Sequence, residues 1–113
     1  MRRVHGVVTM PADAPVTTAL LVVEVRDVSL ADGGAPVLAS VAMAGTPVQP
    51  GGRARFELAA PEVPAAMALS LRCHVDLVGD GTVAVGDLLS TRSIPVPTTG
   101  DAGPLTVPVD VVT

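Results

Sequence analysis

"ALLVVEVRDVSLADGGAPVLASVAM", Ala19 to Met43, is an apolar run that turns polar at Arg26-Asp27, passes a double glycine and becomes apolar again. Its first limb, Thr17–Val28, puts Leu21, Val23 and Val25 on one face and Leu20, Val22, Glu24 and Arg26 on the other, because side chains alternate along a strand. The first half is apolar on both faces, which predicts an interior strand with its polar end at a rim. Asp32-Gly33-Gly34 supplies the positive-φ positions of a tight reversal, and Ser29 or Asp32 can bond nearby amides. A returning strand over about Val37–Met43 follows. The hexapeptide Asp27–Asp32 therefore builds a hairpin, and a hairpin of two largely apolar strands decides for a β fold.

Outward from this hairpin, strand and turn signals recur at short spacing. Arg2–Met10 is the first candidate strand, ended by "PADAP", where Pro11 and Pro15 donate no ladder hydrogen bonds. "RARFELA", Arg53–Ala59, sets Ala54, Phe56 and Leu58 against Arg53, Arg55 and Glu57, so one of its faces is wet. "APEVPAA" reads as an exposed crossing between sheets. The clearest alternation follows, with Met67, Leu69, Leu71, Cys73, Val75 and Leu77 on one face and Ser70, Arg72, His74 and Asp76 on the other. Asp80-Gly81 predicts a two-residue hairpin turn into a segment over about Val83–Ile94, bent or bulged near Gly86-Asp87. The last strand aligns Leu105, Val107, Val109 and Val111, and Pro108 predicts that it lies at an edge or a bulge. The expectation is a single domain over residues 1–113, all-β, a compact antiparallel sandwich of about seven strands.

Composition agrees with that class and excludes several functions. Eleven prolines and eleven glycines among 113 residues interrupt the chain too often for long helices. Phe56 is the one aromatic residue, so the core must be closed by aliphatic contacts, each fully buried side chain contributing about 1.5–3 kcal/mol. A net charge of -4, no lysine and no basic cluster with stacking rings argue against nucleic-acid binding. The single cysteine precludes an internal disulfide. "MRRVHGVVTMPADAPV" has two arginines but no apolar stretch of signal-peptide length behind them, and no run approaches a membrane span. The chain as it stands reads as soluble and cytoplasmic, or as periplasmic and outer-membrane-associated if an upstream lipoprotein signal precedes it.

The candidate chemistry is sparse. Cys73 lies in an apolar row and reads as a buried core residue, a reactive thiol being the other reading. His74 and Asp76 share a face, and His5 can join them if the first and fifth strands lie close, giving a metal set with open positions. A copper site of the Cys-His type fails because adjacent strand residues Cys73 and His74 point to opposite faces. Ser70, Ser90 and Ser93 lack the strand–turn–helix setting of a nucleophile elbow, and Asp80, Asp87 and Asp101 sit beside glycine as turn formers. Neither an enzyme nor a cofactor is indicated. What remains is an exposed sheet edge, which can accept an extended peptide or a second copy of the chain.

Several of these segments resemble the YbaY/YscW-type family of small bacterial lipoproteins. The matching pieces are Gly6-Val7-Val8, Met10-Pro11-Ala12-Asp13-Ala14, Asp27-Val28-Ser29-Leu30-Ala31-Asp32, Arg55-Phe56-Glu57-Leu58 and Leu69–Val78, and the order Asp-Val-Ser-Leu-Ala-Asp is the most specific. The resemblance implies a β-sandwich with a non-enzymatic, pilotin-like chaperone role toward an envelope or secretion protein. It supplies no catalytic residues. Against the lipoprotein members, the expectation for the chain as it stands is no signal peptide and no lipidated cysteine, and the usual strand tyrosine is replaced by Leu69 or a neighbour. The residues expected to bind a partner are Asp27, Ser29 and Asp32 at the rim and Val107, Val109 and Val111 along the last strand. His5, His74 and Asp76 belong to the alternative reading as a small metal- or ligand-binding protein.

Overall fold

A computed structural model describes residues 1–29 and 34–113 of the chain. Its strands are β1 (Arg2–Thr9), β2 (Thr17–Asp27), β3 (Val37–Val48), β4 (Arg53–Ala60), β5 (Leu69–Asp76), β6 (Leu88–Ser90), β7 (Ile94–Val96) and β8 (Ala102–Val111). The predicted all-β class is what the chain adopts. Among the described residues no helix is long and apolar enough to cross a membrane. The predicted reversal at Asp32-Gly33-Gly34 falls largely outside the described residues, but the strands that flank it do pair, Val25 facing Ala39 and Val23 facing Val41.

The strands follow one hydrogen-bonded path, β3-β2-β5-β6-β8-β1-β4, with β7 also paired to β5. The result is a nearly closed, barrel-like sheet rather than the expected sandwich of two separate sheets. Continuity comes from β8, which pairs in parallel with β1 over Ala102–Pro108 and antiparallel with β6 over Val109–Val111. Of the two expectations for β8, an edge or a bulge, the edge is corrected; the strand carries a bulge, between Ala102 and Leu105 and not at Pro108. Pro108 sits at the handover between the two partners, where a missing N–H does not interrupt a long ladder. The path ends instead at β3 and β4, which run alongside each other from a short connecting loop without pairing.

Inward-facing rows fill the interior. Val4 and Val8 of β1, Leu21, Val23 and Val25 of β2, Phe56 and Leu58 of β4, Leu71, Cys73 and Val75 of β5, and Val107 and Val109 of β8 form one buried cluster. The rows alternate as the sequence pattern requires, since residues two apart share a face. Burial is weakest along β3, where Ala39, Val41 and Met43 reach the cluster but stay partly exposed.

The segment after β5 differs from its prediction. In place of a two-residue turn and one long strand, residues 77–87 form an irregular loop, followed by the short strands β6 and β7. Two buried carboxylates organise it. Asp76 accepts the amides of Gly79 at 2.8 Å and Gly81 at 2.7 Å, and Asp87 accepts those of Leu77 and Ala84, both at 3.1 Å. Amides held by carboxylates no longer need a strand partner, so the loop forgoes a ladder.

Candidate functional site

The polar face of β5 is where the sequence placed its metal ligands, and the loop after β5 covers that face. His74, Asp76 and Asp87 each offer a ligand atom within 4.8 Å of the others, and all three are buried. His74 Nε2 lies 2.8 Å from Asp87 Oδ2. Both carboxylates are about 1% exposed. Desolvation opposes the charge on Asp76, but the amides of Gly81 and Gly79 and the nearby His74 outweigh it and hold the carboxyl below its ordinary value. At Asp87 desolvation is likewise outweighed, by the His74 ring and the Leu77 and Ala84 amides.

Chemically this cluster is a structural node. Every carboxylate oxygen in it already accepts at least one hydrogen bond, and an ion would have to displace some of them. Among the described residues, no hydroxyl is bonded to the His74 ring that could serve as a nucleophile. His5 does not join the cluster. It lies on the outer face of β1 against Gly103, where a Cβ on that residue would sit 2.6 Å from His5 Cδ2. Asp87 was missed as a partner of His74 because its place beside Gly86 is explained equally well by a turn.

Cys73 is 0% exposed on the inner face of β5. Burial pushes its thiol up to about 12, with Arg72 pulling weakly the other way, so it stays protonated and inert at neutral pH. The predicted binding residues divide. Val107 and Val109 are core side chains at 0 and 2% exposure, and Val111 is half-buried on the stretch paired with β6. At the rim, Asp27 accepts both the amide of Ser29, at 2.9 Å, and its hydroxyl. These two bonds, the hydroxyl first, lower the Asp27 carboxyl below its ordinary value. Asp32 lies outside the described residues.

A further feature is an open groove of about 980 Å³ on the outer face of β1 and β4, lined by Arg3, His5, Arg53, Arg55 and Glu57 and reaching Met43 on β3. Arg3 is paired with Glu57 at 3.0 Å. Arg53 and Arg55 form no ion pair among the described residues. The alternation of "RARFELA" marks them as outward-facing, but only the strand order shows that β4 is an edge and that Met43 stands across from it.

Fold and site together define a small all-β domain, closed except along one seam and without an assembled catalytic constellation among its described residues. No protein-family model matches the chain, and no curated protein matches it. Among solved structures it is similar to an alternative pilotin from the type II secretion system of Vibrio cholerae, with a TM-score of 0.67 and 21% sequence identity over 96% of each chain. At that identity the likeness shows a shared fold.

Proposed function

We propose that this protein is a non-enzymatic, pilotin-like binding module that escorts a secretion-system partner, with a secretin-type envelope protein as the partner class. The observation that carries this reading is the shared fold with the Vibrio cholerae pilotin over 96% of both chains. The Asp27–Asp32 segment, which resembles the YbaY/YscW-type lipoproteins, adds to it and suits a position in the bacterial envelope. The Asp27–Ser29 rim precedes β3, whose outer edge has no strand partner among the described residues, and an unpaired edge is a physical means of holding an extended peptide. The proposed contact surface is therefore this rim and edge. Val107 and Val109, being core, are outside it.

Deleting the gene in its own host and following assembly of the host's secretin tests the reading, together with direct binding of the purified protein to purified fragments of the secretin. Binding and a loss of assembled multimers are expected. Intact assembly and no binding overturn the proposal. A second reading, a metal site, draws on the convergence of His74, Asp76 and Asp87. Because their oxygens are already engaged, equimolar zinc is expected to leave the melting temperature unchanged, and a rise of several degrees would make the cluster a metal centre.

A further inference from the structure

The twelve residues of β3, "VLASVAMAGTPV", contain no charged side chain. Long neutral edges are hazardous, and proteins ordinarily blunt them with charge, proline or a bulge. On β3 these devices stand only towards the two ends: a bulge between Val37 and Ala39, and a bulge between Met43 and Thr46 followed by Pro47. Between the bulges, from Ala39 to Met43, the edge is unguarded. The opposite edge, β4, is the reverse case, because Arg53, Arg55 and Glu57 project from its outer face. The two strands run alongside each other but do not pair, and the inward residues Val41, Met43 and Ala54 along this seam stay partly exposed.

We infer that the seam between β3 and β4 is a seat for one extended segment of a partner protein, in which apolar residues alternate with acidic ones. This rests on the binding-module reading and specifies the partner's chemistry. Main-chain bonds to Ala39–Met43 hold the segment, as strand addition does elsewhere. Its apolar side chains, every second residue, point into the barrel and cover Val41, Met43 and Ala54 along the open seam. The intervening side chains point outward, toward Arg53 and Arg55.

Charge decides the sign of those outward residues. The chain carries eleven acidic residues against seven arginines, yet the groove is lined by three of those arginines, Arg3, Arg53 and Arg55, and by a single acid, Glu57. Glu57 is taken up by Arg3, which leaves Arg53 and Arg55 as uncompensated positive charge in an otherwise acidic molecule. A second copy of the chain is the poorer occupant. It would bring to the seam either another neutral β3, which answers neither arginine, or another β4, which adds two more.

The test uses two fluorescein-labelled ten-residue peptides, one alternating valine with glutamate and the other valine with lysine, titrated against the full-length protein by anisotropy. The glutamate peptide is expected to bind about tenfold tighter than the lysine peptide at low salt, a preference that two exposed ion pairs can supply and that salt erodes. The double variant R53E/R55E should reverse the order. Both arginines are exposed and form no ion pair among the described residues, so unchanged melting verifies that this variant folds. Amide exchange in the complex is expected to slow over Ala39–Met43. Equal affinity for the two peptides, unslowed exchange on β3, or concentration-dependent dimerisation that blocks either peptide overturns the inference. If the secretin fragment binds R53E/R55E as tightly as the parent, the binding-module reading stands and the acidic-strand seat falls. If the glutamate peptide binds as expected and the secretin fragment does not, the seat stands with a different source for its strand.

Discussion

Asp87 shows how one side chain can serve two structures at once. Its Oδ2 meets the His74 ring and the Ala84 amide while its Oδ1 takes the Leu77 amide, so both ends of the 77–87 loop are fastened to β5 through a single carboxylate. Removing it strands a buried ring nitrogen and two partly buried amides. Asp87→Ala is accordingly expected to lower unfolding stability by roughly 3 kcal/mol, and Asp87→Asn, which keeps one acceptor oxygen, by less. Asp80→Ala is the control, since Asp80 is exposed and holds only the Thr82 amide at 3.0 Å, and its loss should stay within about 0.5 kcal/mol. Urea unfolding of the three variants checks the order. The sequence showed His74 and Asp76 on one face because strand alternation is local. It could not show Asp87 there, because an eleven-residue irregular loop has no periodicity from which its return can be read.

At the level of elements, β8 determines the closure, and its fit to β1 depends on two glycines. Val4 faces Ala102 and Gly6 faces Leu105, so β8 carries one extra residue across this step. The bulge brings the Leu105 carbonyl onto Gly6, where a Cβ would stand 2.0 Å from the oxygen. On the other strand, Gly103 at φ 133° leaves no room either, a Cβ there meeting the His5 carbonyl oxygen at 2.4 Å. Gly6→Ala must push the two backbones apart, and a loss of about 2 kcal/mol or more is expected in urea unfolding. Gly34→Ala, with nothing within 4 Å and no positive φ, should be neutral or slightly stabilising. A loss at Gly34 equal to that at Gly6 would show that close approach is not the cause. The strands themselves were legible: β1, β2, β4, β5 and β8 lie where alternation put them. Their neighbours were not, and Pro108 misled because proline signals a missing donor without saying whether an edge or a change of partner absorbs it.

For the whole molecule, alternation of inward and outward residues is common to sandwiches and barrels, which is why the class could be read and the closure could not. Which strands join depends on pairings between residues far apart in sequence, as where Val8 meets Val107. The global consequence easiest to measure is acid stability. Asp27, Asp76 and Asp87 all have carboxyls held below the ordinary value of 3.8 in the folded chain. Below about pH 5 the unfolded chain then takes up protons that the folded chain refuses, and stability falls with falling pH by linkage. The contribution of these groups is complete above their unfolded pKa, and it is lost as pH drops through 3.8 toward their folded values. Melting temperature measured from pH 7 to pH 2 should therefore decline most steeply below pH 4. Asp76→Asn removes one titrating group from the node, so the variant should melt lower at pH 7 and show a shallower acid decline that converges on the parent near pH 2. Parallel curves for the two proteins would mean that Asp76 is not held below its ordinary value and that the acid sensitivity of the fold arises elsewhere.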